Sequence, residues 1–253
     1  MPRYIAVAGK GGVGKTTFTA LLLRELVRQK PDLSILAVDA DPNANLSEAL
    51  GMPADSAISD ILDETKKTLE IPEGMPKELY VQSKIQEMLV ESDAIDLLVM
   101  GGPQGPGCYC YANNLLRNYL ESLASGYDFV TVDTEAGLEH ISRGTIPQVD
   151  VMFVVSDSSA RAIRSAGRVY ELIKGLQSPI KEVYLIVTKT APGTLESLDS
   201  EIKATGLQVI GEIPLDPEVS RKDLAGDPLY GLDDASSAVK AVHEIVKAAR
   251  VLD

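Results

Sequence analysis

The sequence predicts an α/β fold, a doubly wound and mostly parallel central sheet of about seven or eight strands flanked by helices. Near-continuous Val/Ile/Leu runs, typical of strands buried on both faces, alternate with segments of helical apolar spacing. A glycine-rich turn follows the first run. Residues 53–93, with three prolines among many acidic residues, predict an irregular surface excursion with short helices. We therefore expect residues 1–253 to form one domain.

Seven apolar runs are predicted to be strands, because they are rich in β-branched residues and bounded by polar or turn-forming residues. In chain order they span residues 3–9, 33–41, 94–102, 128–135, 150–157, 182–189 and the shorter 207–213. Helices are predicted at 15–29, 111–124, 160–176 and 234–252. The last segment predicts a closing helix, since one stripe carries Val239, Val242, Ile245, Val246 and Ala249.

The composition is that of a soluble globular protein, with 45% hydrophobic and 24% charged residues. Its 37 acidic and 24 basic side chains give a net charge of −13, which repels phosphodiester backbones and anionic lipids. We therefore expect neither nucleic acid nor membrane as a partner. The start of the chain lacks the apolar core of a signal peptide, and no apolar stretch approaches the roughly 20 residues of a membrane span, so we expect a cytoplasmic protein.

The stretch GKGGVGKTT (9–17) lies between a predicted strand and a predicted helix and fits the phosphate-loop pattern G-x-x-x-x-G-K-[ST]. Its backbone N–H groups are expected to converge on the phosphates of ATP or ADP. Lys15 is predicted to reach the β- and γ-phosphates, and the Thr16 hydroxyl to bind Mg²⁺. The predicted nucleotide contacts in this loop are Gly9, Gly11, Gly12, Val13, Gly14, Lys15, Thr16 and Thr17.

Two acidic stretches end predicted strands, where ligands of open α/β sheets bind. The stretch VDADPN contributes Asp39 and Asp41, and VDTEAG contributes Asp133 with Gly137. Beside a phosphate loop, such carboxylates are expected to hold a magnesium-bound water or to orient the water that attacks the γ-phosphate. The alternative for either stretch alone is a carboxylate that caps the next helix or turn.

Lys10 lies too early in the loop to share the position of Lys15. A long cation there is able to project across a subunit boundary and to stabilise transition-state charge in trans, as an arginine finger does. The loop therefore predicts a homodimer.

With this extra lysine, GKGGVGKT resembles the deviant Walker A motif of the MinD/ParA/nitrogenase iron protein class of dimeric ATPases. Within that class, CYC and EAGLEHISRGT (135–145) resemble the CooC-type accessory ATPases that insert nickel into carbon monoxide dehydrogenase. The resemblance implies that Lys10 contacts the partner subunit's nucleotide and that Asp41 positions the attacking water. It also implies that Asp133 is the Walker B aspartate, that Asp39 lies near the magnesium shell, and that Gly137 belongs to switch II.

Base recognition is where the sequence departs from the pattern. Many relatives read adenine with an Asn on the strand that here ends VTKT, and this chain has Thr188 and Lys189 there. We therefore assign nucleotide contacts to Lys189 and to the backbone around Pro214, in IPLDPEV (213–219).

The only two cysteines, Cys108 and Cys110, form a C-x-C pair after a Gly/Pro-rich turn. Two thiolates cannot complete a zinc or nickel site, but a two-fold axis beside them would bring four sulfurs together. We expect an interfacial Ni²⁺ or Zn²⁺ site; the alternatives are buried, inert thiols or a strained disulfide. His140 is left unassigned between a ligand, a nucleotide sensor and a structural role, and His243 is predicted to be solvated.

The sequence thus predicts a dimeric ATPase that hydrolyses Mg-ATP and binds a metal ion at its interface. The resemblance implies that it is a metallochaperone that inserts nickel into immature carbon monoxide dehydrogenase or acetyl-CoA synthase. One alternative is a MinD/ParA-type positioning ATPase acting on a membrane or DNA. Another is an iron protein-like ATPase with a [4Fe–4S] cluster between its subunits. The choice between nickel and zinc, and whether dimerisation is permanent or ligand-driven, stay open.

Overall fold

The computed structural model describes residues 1–60, 72, 74–101, 110–135, 138–142, 146–176 and 178–253. All seven predicted strands are present. They are β1 (Arg3–Gly9), β2 (Ile35–Ala40), β3 (Ile95–Val99), β4 (Phe129–Thr134), β5 (Val149–Asp157), β6 (Ile180–Thr190) and β7 (Gln208–Pro214).

The strands form one seven-stranded sheet in the order β3-β2-β4-β1-β5-β6-β7, and every pair of neighbours is parallel. An antiparallel bridge between Val90 and Leu97 adds to the β3 edge. The connection after β1 runs to β2 on one side of β1, and the connection after β4 crosses to β5 on the other side. The carboxyl end of β1 therefore lies at the switch point where such sheets bind ligands.

The predicted helices are confirmed, with ends shifted by a few residues. The described helices are α1 (Lys15–Gln29), α2 (Asn45–Leu50), α3 (Lys77–Glu87), α4 (Cys110–Ala124), α5 (Glu139–Ser142), α6 (Ala160–Lys174), α7 (Thr194–Ser197), α8 (Asp199–Thr205), α9 (Pro217–Ala225) and α10 (Ser237–Ala248). The apolar stripe predicted for the closing helix is buried along its whole length.

The core lies on both faces of the sheet. In β1, Ile5 and Val7 belong to the cluster under α1 and α10, whereas Ala6 and Ala8 belong to the cluster under α6. Because successive strand residues point to opposite faces, both sets must be apolar. This explains the continuous rather than alternating apolar runs in the sequence.

The solvated position expected for His243 is observed only in part, because its side chain is 38% exposed. Its Nδ1 lies 2.6 Å from Oε1 of Glu25, a carboxylate that is 1% exposed. The reason is that α10 packs against α1, so one ring nitrogen of His243 meets a buried partner while the rest of the ring stays partly exposed. Within the described ranges, no helix is long and apolar enough to cross a bilayer.

Candidate nucleotide-binding site

A cleft of about 910 Å³ opens at the carboxyl ends of the central strands. The phosphate loop and the start of α1 form one wall, the loop after β2 a second, and the segment from the end of β7 into α9 a third. Its volume falls within the usual range for small-molecule sites. The predicted site residues that line it are Gly11, Gly12, Gly14, Lys15, Thr16, Thr17, Asp41, Lys189 and Pro214.

Gly9 and Val13 support the loop from beneath instead of lining the cleft. Gly9 has φ of 149°, and a Cβ there would lie 2.3 Å from the carbonyl oxygen of Val155. Val13 is buried beside it. The loop thus passes close to β5 only because residue 9 has no side chain. Gly14 adopts the left-handed conformation, with φ of 92°, as the N-cap of α1.

Thr16 and Asp133 meet directly at the foot of the cleft. The Thr16 hydroxyl donates to Oδ2 of Asp133 over 2.7 Å. Asp133 is 1% exposed, and its Oδ1 is buried without a hydrogen-bond partner among the described residues. Burial raises the pKa of Asp133 to about 7; the Thr16 bond opposes that rise and the charge of Asp39 adds to it.

This donor set fits a magnesium ion. Mg²⁺ binds hard oxygen ligands and is usually held by one or two carboxylates together with substrate phosphates. A buried carboxylate oxygen without a donor, adjacent to a hydroxyl at the start of the phosphate-loop helix, supplies that chemistry. Burial also leaves this carboxylate in need of a positive partner.

Asp39 lies opposite Asp133 in the pairing of β2 with β4. Its two oxygens accept backbone N–H groups, Oδ1 from Asp41 over 3.1 Å and Oδ2 from Leu46 over 2.9 Å. Burial raises the pKa of Asp39 to about 6, although both bonds oppose the rise. These contacts favour the capping alternative for Asp39, since they fix the loop that carries Asp41.

Asp41 lies on the cleft wall, half-buried. Its Oδ1 accepts from the backbone N–H of Asn43 over 3.0 Å and from Asn43 Nδ2 over 2.8 Å. This Asx turn holds the carboxylate at the mouth of the cleft.

Thr188 and Lys189 both line the cleft, but their polar atoms face the phosphate loop. Thr188 Oγ1 donates to the carbonyl of Val13 over 2.6 Å, and Lys189 Nζ to the carbonyl of Gly12 over 3.0 Å. Neither contact was expected from the sequence. Both arise because β6 ends beside the loop.

Sequence reasoning also missed the role of Asp216. It is 6% exposed and accepts four hydrogen bonds: from the Glu218 N–H, from the hydroxyls of Ser236 and Ser237, and from the Ala238 N–H. It therefore caps α9 and also anchors the start of α10. The dipeptide Asp-Pro is a signal for the first role, because proline favours the first position of a helix.

Lys10 is exposed and does not line the cleft, so one chain does not bring it together with Lys15. Lys10 makes no hydrogen bond or ion pair within the described part of the chain. Cys108 and Gly137 lie outside the described residues, and Cys110 begins α4. Among the residues described, no group of three or more His, Cys, Asp or Glu side chains is arranged to hold a metal ion.

Comparison with known proteins identifies relatives of this fold and site. The family model for the CobQ/CobB/MinD/ParA nucleotide binding domain matches residues 4–229. An uncharacterised ATP-binding protein of Methanocaldococcus jannaschii is 47% identical over 246 residues, 96% of each chain. The carbon monoxide dehydrogenase accessory protein CooC of Rhodospirillum rubrum is 32% identical over 249 residues, 91% of this chain and 90% of that protein. The crystal structure of a ParA family ATPase from Chlorobium tepidum superimposes with a TM-score of 0.71 at 24% identity, over 100% of this chain and 99% of the other.

These matches agree with the observed geometry. The structural likeness confirms the predicted P-loop fold, with its parallel sheet between two layers of helices. The family model includes the phosphate loop and every strand of the sheet. The chain therefore belongs to the CobQ/CobB/MinD/ParA family of P-loop nucleotide-binding proteins.

Proposed function

We propose that the protein is an ATPase that hydrolyses Mg-ATP and works as a homodimeric accessory factor in nickel delivery. The observation that carries the ATPase part is the buried pair of Thr16 and Asp133, whose Oδ1 has no hydrogen-bond partner among the described residues. A carboxylate placed there would otherwise be a costly buried charge.

The chain's own groups define the chemistry. The N–H groups of the phosphate loop and the amine of Lys15 bind and orient the phosphates. When Mg²⁺ is bound, held by Thr16 and Asp133, it would supply positive charge that stabilises the developing charge on the phosphates. Asp41, held by Asn43 at the mouth of the cleft, is assigned to orienting the attacking water.

Lys10 is proposed to complete the site from the partner subunit. It is exposed, follows β1 at the same end of the sheet as the cleft, and is not among the residues that line the cleft. A cation supplied across a subunit boundary stabilises transition-state charge on the phosphates. The active species is therefore a homodimer with two nucleotides.

Nickel delivery is the finer part of the proposal. It is supported by the relative named as an accessory protein of carbon monoxide dehydrogenase and by the C-x-C pair of Cys108 and Cys110. Four thiolates from two chains would hold Ni²⁺ or Zn²⁺ at the dimer axis. The client is then an immature carbon monoxide dehydrogenase or acetyl-CoA synthase.

Nucleotide and metal are coupled in this proposal because both sites are completed by the same dimer. Each ligand then changes the affinity for the other by the same factor. Hydrolysis alters the association of the two chains and with it the hold on the metal ion.

The test combines size-exclusion chromatography with metal analysis on the apo, ADP and ATP-analogue forms, with and without added Ni²⁺ or Zn²⁺. We expect one metal ion per dimer in the wild type and none in Cys108→Ser or Cys110→Ser. His243→Ala is the control, since His243 pairs with Glu25, and it should keep the ion. Full metal binding by Cys108→Ser would refute the interfacial site.

Hydrolysis is tested separately by phosphate release. Lys15→Ala and Asp41→Asn should abolish it, whereas the cysteine variants should keep monomeric nucleotide affinity near that of the wild type. A wild-type protein that binds ATP without hydrolysing it, in the dimeric and metal-loaded state, would contradict the ATPase assignment.

A further inference from the structure

We propose that Thr188 and Lys189 are positioning residues that orient the phosphate-binding amides of the loop from the side of β6. These two consecutive residues hold two consecutive loop carbonyls. Thr188 Oγ1 donates to Val13 over 2.6 Å, and Lys189 Nζ donates to Gly12 over 3.0 Å. The inference rests on nucleotide binding at the cleft and adds to it a device that shapes the loop.

Because the peptide unit is planar, a hydrogen bond that fixes one carbonyl also fixes the direction of the next N–H group. The carbonyl of Gly12 and the N–H of Val13 belong to one rigid plane and point in opposite directions, and the same holds for Val13 and Gly14. A donor that draws these two carbonyls toward β6 therefore turns the next two N–H groups away from it. Backbone N–H groups of such loops cradle the phosphates of the nucleotide.

The loop needs this support because its own sequence is permissive. Gly12 and Gly14 have φ of 80° and 92°, in a region open to glycine at no cost, and glycine has the widest choice of alternatives. Without such support, the loop residues would lose conformational entropy when the ligand binds, and this loss would weaken binding. A loop held in place beforehand binds phosphate more tightly.

Lys189 adopts a backbone conformation that is unfavourable for its residue type. Its φ is 56°, in the left-handed region, which is strained for a residue with a side chain. The pairing of β6 with β7 shifts register between Thr188 and Thr190, as in a β-bulge. Bulges commonly redirect a side chain beside a functional site.

The surrounding structure maintains that conformation. Ser158 Oγ donates to the Lys189 carbonyl over 2.9 Å, and Thr188 is 5% exposed, with its Oγ1 also 3.2 Å from the Ser156 carbonyl. Glycine would adopt this backbone more cheaply than lysine. The presence of a long cation at a strained position indicates that its amine has a role.

The first experiment measures ADP affinity by titration calorimetry for wild type, Lys189→Met and Lys189→Arg. We expect Lys189→Met to bind ADP about tenfold more weakly, since it loses one charge-assisted hydrogen bond that fixes the loop. Arginine keeps a donor and the charge, so Lys189→Arg should recover affinity to within about threefold of wild type. The KM for ATP should rise in parallel in Lys189→Met while kcat at saturation stays within about twofold, the pattern of lost uniform binding.

Two further variants distinguish a positioning role from a general loss of stability or of a positive charge. Lys189→Gly relieves the left-handed strain, so it should unfold no more easily than wild type without nucleotide and still lose ADP affinity. Lys240→Met is the matched control, because Lys240 Nζ also donates to a backbone carbonyl, that of Ala235, over 3.0 Å and outside the cleft. It should bind ADP as the wild type does.

The proposal is overturned if Lys189→Met and Lys189→Gly bind ADP with wild-type affinity, or if Lys189→Arg binds no better than Lys189→Met. A wild-type protein that binds neither ADP nor ATP would instead refute the proposed function. Thr188→Val, which leaves the Val13 carbonyl without its donor, should also weaken ADP binding and will lower thermal stability too.

Discussion

Asp133 and Asp216 are both buried carboxylates beside the cleft, and their surroundings are opposite. Asp133, in β4, accepts one hydrogen bond from Thr16, and its second oxygen has no partner among the described residues. Asp216, after β7, accepts four hydrogen bonds. Burial raises the pKa of Asp133 to about 7; at Asp216 burial acts in the same direction, but hydrogen bonds from Ala238, Ser236 and Ser237 outweigh it and hold the pKa well below its usual range.

The difference separates two uses of the same side chain. A carboxylate surrounded by donors is already satisfied and holds structure together, here α9 and α10. A buried carboxylate with few donors keeps acceptor capacity for a cation that arrives with its ligand. Asp39 lies between these cases, with two backbone donors and a pKa raised by burial to about 6.

Among the three buried carboxylates Asp133, Asp39 and Asp216, replacement of Asp133 by asparagine should reduce hydrolysis most. We expect kcat to fall by about 100-fold or more, because the variant removes a charge proposed to hold magnesium beside the phosphates. Phosphate release at saturating Mg-ATP measures it. Asp157→Asn, at the end of β5 and outside the cleft, is the control and should keep activity within about twofold. Equal activity of Asp133→Asn and wild type would contradict the magnesium-binding role that distinguishes Asp133 from Asp216.

Asp216→Asn should act on stability instead. Asparagine offers one acceptor oxygen in place of two and turns an NH₂ group toward donors, so the free energy of unfolding should fall by about 2–4 kcal/mol. Urea denaturation measures the change. The exposed Asp233, whose carboxylate accepts one hydrogen bond within the described part of the chain, from the Ala235 N–H, provides the control, because Asp233→Asn should leave the midpoint nearly unchanged. A fully stable Asp216→Asn protein would show that the four bonds are not what anchors the two helices.

Asp39→Asn tests the carboxylate whose surroundings are intermediate between those of Asp133 and Asp216. One of the two backbone N–H groups loses its acceptor, so we expect a loss of about 1–2 kcal/mol in the free energy of unfolding. Hydrolysis should fall less than in Asp133→Asn, because Asp39 holds the loop that carries Asp41. If Asp39→Asn reduced activity as strongly as Asp133→Asn, Asp39 would belong with the magnesium-binding group.

A further expected effect is a pH dependence in the stability of the magnesium-free protein. Between about pH 4 and pH 7 the native state binds more protons than the unfolded chain, because the pKa values of Asp39 and Asp133 are raised to about 6 and about 7. Their contribution to stability therefore falls as the pH rises through this range. Asp216 acts at lower pH, since its contribution is lost only as the pH drops below the usual aspartate range. Urea denaturation in EDTA at pH 5 and pH 8 should show a shallower decline in Asp133→Asn, and an equal decline in both proteins would contradict the assignment.

The sequence predicted the sheet because local patterns determine it. Within β5, the run VMFVV (151–155) is apolar at every position because both faces of the strand are buried, and the sequence shows this directly. The phosphate loop was equally visible, because its glycines, Lys15 and Thr16 are adjacent in sequence. Asp133 and Asp39 could be placed at strand ends, but the contact of Asp133 with Thr16 could not be predicted, since the two residues are far apart in the sequence.

The features that were missed depend on distant contacts or on backbone geometry. Asp216 accepts hydrogen bonds from Ser236 and Ser237, which are 20 and 21 positions further along the chain, and no local sequence pattern predicts that pairing. The left-handed conformation of Lys189 has no marker in the stretch VTKT. His243 was expected to be solvated because its own helix places it on the polar side, whereas its partner Glu25 is on α1.

The most direct measurement is the affinity of ADP, by calorimetry, with and without Mg²⁺ in wild type and Asp133→Asn. If the buried Asp133 oxygen holds the ion, Mg²⁺ should strengthen ADP binding by about tenfold or more in wild type and have little effect in the variant. An equal gain from Mg²⁺ in both proteins would contradict the assignment of Asp133 and with it the proposed site.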